Sequence, residues 1–205
     1  MAEPYYIFAE AGFKVTIGSP AGGAVPIDAN SVKGDVFNAT AKRFMHDGDA
    51  IAALSHSVKL SAEMASEFEC VYLAGGHGCC VDFVGPKAVA LVAIVEQMYA
   101  AGKVVAADCH GPMGLLECKK ADGTALVAGL EVTAFTNVEE VQAGAMDWVV
   151  ANSRLPETAF IELGATFVKG EPWSSFVAVA GNLVTAQNPQ SGEACAHKVV
   201  ELLKL

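Results

Sequence analysis

A cysteine and a histidine stand side by side in the run Asp108-Cys109-His110-Gly111-Pro112, directly after a short apolar segment. A thiol placed at a sharp turn after a buried strand is typical of a nucleophile presented at the top of a sheet. Gly111 permits close backbone approach, and Pro112 suits the first turn of a helix whose N-terminus would favour the thiolate. A buried structural cysteine is the ordinary alternative for a single thiol, but the position of Cys109 at the turn favours reactivity.

His110 can accept the thiol proton if a third group holds its ring. Two adjacent carboxylates, Glu139 and Glu140, are the candidates. The spacing leaves open which of them reaches His110, and whether the pair is simply a solvated first turn of a helix. Asp108 would raise the pKa of the thiol if both side chains faced one pocket, whereas the alternation of a strand would direct it away from Cys109.

A second loop, Gly75-Gly76-His77-Gly78, follows another short apolar run. Its exposed backbone N–H groups could bind an oxyanion. The loop lacks the spacing of a phosphate cradle or of a dinucleotide fold. We therefore interpret Gly75, Gly76 and His77 as residues that line a pocket for an oxyanion or a substrate.

Several metal-ligating residue types lie near these two loops. His77, Cys79 and Cys80 would join Cys109 and His110 in one cluster if the loops meet. Their spacing matches no standard zinc pattern. We predict that the protein holds no metal and no cofactor.

Strands and helices must alternate along the chain to position the two loops. Patterning predicts helices over 5–11, 40–68, 86–101, from 139 and over 192–203, and strands over 13–18, 70–74, 103–107 and near 132. A hairpin of 176–180 and 183–185 should turn at Gly181-Asn182. In the helix after Pro86, the residues expected to face a sheet are Val89, Val92, Val95 and Tyr99. This order favours an α/β fold with a mostly parallel sheet, in which both loops follow carboxyl ends of strands.

Composition bounds the remaining possibilities. The chain has 205 residues, 53% hydrophobic content, no evident linker and a formal net charge of -10. We expect one domain over residues 1–205, and a charge that repels nucleic acid and anionic membranes. No apolar run is long enough to span a bilayer, and the start resembles no secretory signal. Six cysteines in such a chain favour reduced thiols and a cytoplasmic location.

Taken together, the motifs resemble the ThiJ/PfpI superfamily, also called class I glutamine amidotransferase-like. Within it, the chain looks most like the branch of glutathione-independent glyoxalases (glyoxalase III) and chaperone-like proteins. The matching segments run in the family's order over nearly the whole chain: 11–15, 19–23 with Pro26 and Asp28, 75–78, 109–112, 135–140 and 183–189.

The resemblance implies a flavodoxin-like three-layer sandwich with a mostly parallel central sheet, in a homodimer. It implies Cys109 as nucleophile, His110 as its acid/base partner and Glu140 as the carboxylate that orients His110, with Glu139 as the fallback. The backbone N–H groups of Gly76 and His110 would form the oxyanion site. The implied enzyme converts methylglyoxal or related 2-oxoaldehydes to 2-hydroxy acids through a hemithioacetal, without a cofactor. Repair of glycated proteins would use the same residues.

The chain departs from this family at its start. Family members begin with a strand and then carry a glutamate four residues before the proline that matches Pro4. In this chain, the position of that glutamate would fall one residue before Met1. Glu3 is three residues out of register with that position. We therefore expect the first strand and this glutamate to be missing relative to the family.

The alternative function is a stress-response holding chaperone or a cysteine redox sensor without efficient turnover.

Overall fold

The computed structural model describes residues 1–34 and 37–204. The chain falls into two compact units, Met1–Leu60 and Ser61–Leu205. Within the described residues, no helix combines the length and the apolar character that a membrane crossing requires. The single domain expected over residues 1–205 stays a prediction.

Within residues 1–34 and 37–60, the first unit contains three α-helices and one pair of very short strands. They are α1 (Ala2–Glu10), β1 (Gly18–Ser19), α2 (Ala39–His46), α3 (Gly48–Ser55) and β2 (Val58–Lys59). Strands β1 and β2 are parallel.

Aromatic packing and a helix cap organise this unit. Tyr6, Phe44, Ala50 and Leu54 form its buried core. The Tyr6 hydroxyl donates to Asp47 Oδ2 at 2.9 Å, and Asp47 Oδ1 accepts the backbone N–H of Ala50 at 3.1 Å. Asp47 thereby caps α3 and connects the cap to the core.

Two of the expected elements in this region are wrong in extent. The strand expected over 13–18 is limited to Gly18–Ser19, because β2 offers only two residues for pairing. The helix expected over 40–68 is broken at Asp47, whose extended backbone ends α2 so that its side chain can cap α3. Beyond Ser55 the chain forms β2 and then a 3₁₀ helix, Ala62–Ser66.

The second unit contains the remaining strands and helices. The strands are β3 (Cys70–Leu73), β4 (Val104–Asp108), β5 (Glu131–Val132), β6 (Thr166–Phe167), β7 (Val177–Ala180) and β8 (Leu183–Ala186). The helices are α4 (Cys79–Asp82), α5 (Val89–Ala100), α6 (Asn137–Ala143), α7 (Met146–Asn152), α8 (Pro156–Glu162) and α9 (Gly192–Leu203). Among the described residues of this unit, further 3₁₀ helices cover Gly85–Lys87, Gly111–Leu115 and Pro189–Ser191.

A four-stranded sheet in the order β3-β4-β8-β7 forms the centre of this unit. The pairs β3–β4 and β4–β8 are parallel, whereas β7 and β8 form the expected antiparallel hairpin. Every residue of β4 is buried, and helices α5 and α9 pack against it. This confirms the predicted α/β class with a mostly parallel sheet. Strands β5 and β6 pair in parallel as a separate two-stranded sheet.

The face of α5 agrees only in part with the expected one, since Val95 is buried as expected and Val92 and Tyr99 are half-buried. Its buried residues are Leu91, Ile94, Val95 and Met98, whereas Val89 is 68% exposed. Apolar residues occur on all sides of this helix, so the spacing of its valines did not identify the packed side. The packing of the 3₁₀ helix Ala62–Ser66 and of strands β3 and β4 against α5 decided it.

The turn after β4 is pressed against the end of β3. A Cβ atom placed on Gly111 would lie 1.9 Å from the carbonyl oxygen of Leu73. Only a residue without a side chain allows this approach.

We therefore expect Gly111→Ala to destabilise the protein by at least about 3 kcal/mol, because backbone rather than a flexible side chain would have to move. Chemical denaturation checks this. The matched control is Gly48→Ala, since a Cβ there meets nothing within 4 Å. A Gly111→Ala protein as stable as the wild type would contradict the close approach.

Candidate active site

Cys109 lies at the carboxyl end of β4 with a left-handed backbone, φ 56°. A side chain in this region is strained by about 1–3 kcal/mol and persists only where neighbours hold it. The Cys109 N–H donates to Ala186 O at 2.9 Å, and its carbonyl accepts the N–H of Phe135 at 3.0 Å. Backbone groups from two other segments therefore hold the cysteine in this conformation.

A chain of hydrogen-bonding contacts runs from the thiol into the interior. Cys109 Sγ lies 3.3 Å from His110 Nδ1, and His110 Nε2 lies 2.6 Å from Glu140 Oε1. The side chains of His110 and Glu140 are fully buried. The structure thus brings together the three residues expected to carry the chemistry, and Glu140 rather than Glu139 contacts His110.

Glu139 instead organises the structure around α6. Together with Thr136 it forms a capping box at the start of that helix. Its Oε1 also accepts hydrogen bonds from the Trp173 N–H at 2.8 Å, Asn188 Nδ2 at 2.8 Å and Gln187 Nε2 at 3.1 Å. These donors satisfy the carboxylate completely, so Glu139 holds distant segments together while its neighbour faces the histidine.

Sequence reasoning missed these partners of Glu139. The pattern Thr136-x-x-Glu139 was a readable capping signal. Nothing in the sequence indicated Trp173, Gln187 or Asn188, because they approach from elsewhere in the chain.

The pKa values describe a neutral thiol beside an ionised carboxylate. Burial, followed by the charge of Asp108, raises the pKa of Cys109 well above its ordinary value. Burial also lowers the pKa of His110, although its hydrogen bond to Glu140 opposes this. Burial works against ionisation of Glu140, but hydrogen bonds from His110 and His77 outweigh it and lower the pKa to about 2. At rest, the site therefore pairs an S–H group with a neutral imidazole.

This differs from the thiolate that a helix N-terminus was expected to favour. The residues after His110 form a five-residue 3₁₀ helix, Gly111–Leu115, rather than an α-helix. Too few peptide dipoles are aligned there to offset the burial of the thiol.

The glycine loop lies against this cysteine turn. The Gly75 N–H donates to Asp108 Oδ1 at 2.7 Å, and a Cβ on Gly75 would lie 2.6 Å from Cys109 Cβ. Gly76 has φ 133°, a conformation that glycine tolerates. Its N–H donates to no protein group within residues 1–34 and 37–204. The N–H of Gly76, and not that of Gly75, is therefore available to a ligand.

His77 lies at the opening of the site. Its Nε2 is 3.4 Å from Glu140 Oε2, and its ring centroid is 4.2 Å from that of His110. The side chain is 40% exposed, in contrast to the buried His110. The ring of Trp148 lies 6.2 Å from the His77 ring.

Among the described residues, one group near these loops could ligate a metal ion. It consists of His77, His110 and Glu140, whose ligand atoms lie within 4.8 Å of one another. Two imidazoles and a carboxylate suit zinc, but a metal would have to break the 2.6 Å contact between His110 and Glu140. Cys79 and Cys80 are not part of this group.

The lowered pKa of Glu140 has a consequence for stability. Its ordinary value of 4.5 falls to about 2 in the folded protein, so ionised Glu140 favours folding above pH 4.5. This contribution, on the order of 3 kcal/mol, is lost as the pH falls towards 2.

We expect the free energy of unfolding to decrease between pH 5 and pH 2 more steeply in the wild type than in Glu140→Gln. Denaturation at a series of pH values measures this difference. Glu131→Gln, at an exposed position, is the control and should keep the wild-type slope. Equal slopes in wild type and Glu140→Gln would contradict the assigned charge state.

Comparisons with known proteins identify the family. A family model described as the DJ-1/PfpI family matches residues 1–202. Glutathione-independent glyoxalase hsp3102 of Schizosaccharomyces pombe is 30% identical over 98% of this chain and 85% of its own length. Glutathione-independent glyoxalase HSP31 of Saccharomyces cerevisiae is 32% identical over 98% of this chain and 86% of its own.

A solved structure gives the same result. The crystal structure of glyoxalase III from Candida albicans superimposes with a TM-score of 0.88 at 28% identity, covering 97% of this chain and 84% of that one. The superfamily expected from the motifs is thereby confirmed. From its family match and from relatives aligned over most of their length, this chain belongs to the DJ-1/PfpI family.

Proposed function

We propose that this chain is a glutathione-independent glyoxalase that converts methylglyoxal or related 2-oxoaldehydes into 2-hydroxy acids. The observation that carries the proposal is the contact chain from Cys109 Sγ through His110 to buried Glu140, at 3.3 and 2.6 Å. Relatives about 30% identical over most of the chain bear the name of this activity. Cys109 acts as the nucleophile, His110 as the acid/base and Glu140 as the group that orients His110.

The first step joins the substrate to the protein. Cys109 Sγ attacks the aldehyde carbon while its proton passes to His110 Nδ1, so the raised pKa of the thiol is overcome only as the bond forms. Ionised Glu140 stabilises the resulting imidazolium. The developing oxyanion accepts the N–H of Gly76, together with that of His110. Return of the proton to this oxygen gives a hemithioacetal.

The second step is an internal oxidation and reduction. The hydrogen on the aldehyde carbon leaves as a proton and reappears on the neighbouring carbon, which converts the hemithioacetal to a thioester of a 2-hydroxy acid. Water then cleaves the thioester and restores the thiol. One carbon is oxidised and its neighbour reduced, so the electrons balance without a cofactor.

Related activities use the same groups. Repair of early glycation adducts would begin with the same attack by Cys109. A redox-sensing role gains no support from this site, since burial and a raised pKa disfavour the thiolate that peroxide attacks.

The proposal also covers the cellular compartment and the class of ligand. All six cysteines are unpaired, which supports a reducing, cytoplasmic compartment. The net charge of -10 supports a small uncharged aldehyde rather than nucleic acid as the ligand. The homodimer stays a prediction.

Cys109→Ala should abolish the formation of lactate from methylglyoxal in the absence of glutathione. The assay is detection of D-lactate with purified protein. Cys70→Ala, on β3 and away from the turn, is the control and should retain activity. Unchanged turnover in Cys109→Ala would reject the proposed function.

Substitution of Glu140 should chiefly affect catalysis, whereas substitution of Glu139 should chiefly affect stability. Glu140→Gln should lower kcat by about a hundredfold or more, since the imidazolium loses its counter-charge. Glu139→Gln should chiefly lower the melting temperature, because its carboxylate binds three distant donors. Turnover and thermal denaturation of both variants decide the point, and a larger loss of kcat in a folded Glu139→Gln protein would reverse the assignment.

A further inference from the structure

Glu140 contacts two imidazoles rather than one. Its Oε1 faces His110 Nε2 at 2.6 Å, and its Oε2 faces His77 Nε2 at 3.4 Å. An ionised carboxylate only accepts hydrogen bonds, so both Nε2 atoms carry their protons. In each neutral ring, Nδ1 is then the basic atom.

The two Nδ1 atoms have different surroundings. That of His110 is committed to Cys109 Sγ at 3.3 Å, inside the protein. Within the part of the chain that the structure describes, Nδ1 of His77 has no hydrogen-bond partner, and the side chain is 40% exposed. The second imidazole therefore has a basic atom that no described protein group engages, on a partly exposed side chain.

The proposed reaction moves two different protons. His110 handles the proton of the thiol and of the substrate oxygen, because its Nδ1 lies next to the sulfur. A second proton must leave the aldehyde carbon and reach the neighbouring carbon. His77, whose ring centroid is 4.2 Å from that of His110, is a second imidazole beside the residue that serves the thiol.

Charge coupling suits two carriers that alternate. Burial lowers the pKa of His110, and the charge of His77, 4.2 Å away between ring centroids, lowers it further. When His77 takes a proton, His110 is therefore favoured to give its own proton to the substrate. Glu140 lies against both rings and stabilises whichever is charged.

We propose that His77 is a second general base of this site, whose Nδ1 takes the proton from the aldehyde carbon of the hemithioacetal and returns it to the neighbouring carbon. Loss of this proton leaves an enediolate, with the negative charge on the former ketone oxygen. A proton passes from the hydroxyl of the first carbon to that oxygen, and the second carbon recovers the proton from His77. The product is the thioester, with no net gain or loss of electrons. The inference rests on the proposed glyoxalase function.

His77→Gln tests the proposal, because glutamine can still donate to Glu140 but cannot carry a proton. We expect kcat with methylglyoxal to fall by about a hundredfold. The isotope effect of substrate deuterated at the aldehyde carbon should increase, since loss of that proton becomes rate-limiting. The rate at which iodoacetamide alkylates Cys109 should stay at the wild-type value, which also shows that the site is folded.

His197→Gln is the matched control. His197 on α9 is an exposed imidazole 3.9 Å from Glu193, and its replacement should change none of the three measurements.

Two results with active wild-type protein would overturn the inference alone. One is full turnover in His77→Gln with an unchanged isotope effect. The other is an equal fall in turnover and in Cys109 alkylation, which would mean that His77 acts only by positioning Glu140. A wild-type protein without turnover would instead reject the proposed function, and the inference with it.

Discussion

The left-handed backbone of Cys109 is the constraint on which the rest of the site depends. A cysteine keeps a strained φ of 56° only because surrounding groups hold it. The hydrogen bond to Ala186 connects it to β8, and the bond from Phe135 connects it to the segment that leads into α6. The same turn that aims the thiol therefore also places the helix that carries Glu140.

Two adjacent carboxylates on α6 have separate tasks as a result. Glu139 is surrounded by amide, hydroxyl and backbone donors, and its hydrogen bonds lower its pKa although burial opposes this. Glu140 meets two imidazoles and contributes the negative charge of the site. Glu139 stabilises the position of α6, and that position places Glu140 against His110 and His77. Neighbouring side chains on an α-helix point about 100° apart, so the two carboxylates can be buried against different partners.

The resting charge state suits a nucleophile that must tolerate burial. A permanent thiolate at the buried Cys109, beside Asp108, would be costly. A neutral thiol beside a neutral imidazole avoids that cost and, in the proposed reaction, ionises only when an aldehyde is in position. In that reaction, the carboxylate of Glu140 is the charge that stabilises the transient imidazolium.

Local patterns determined much of this protein from the sequence alone. The final helix, Gly192–Leu203, and the hairpin that turns at Gly181-Asn182 were readable because their signals lie within a few residues. The same is true of the strand-to-turn junction that identified Cys109. Motif order also identified the family. Expectations that depended on distant partners were less accurate, such as a full strand at 13–18 and the valine face of α5.

The tertiary structure decided which groups meet. Glu139 and Glu140 are equivalent in sequence spacing, and only the packing of α6 against the cysteine turn places Glu140 next to His110. Packing also brought His77 to the second oxygen of that carboxylate, 63 positions away along the chain. The physical reason is that turns and caps depend on neighbouring residues, whereas hydrogen bonds between buried side chains depend on how the whole sheet and its helices assemble. The sequence alone indicated Cys109 as the candidate nucleophile, and the fold decided which residues contact it.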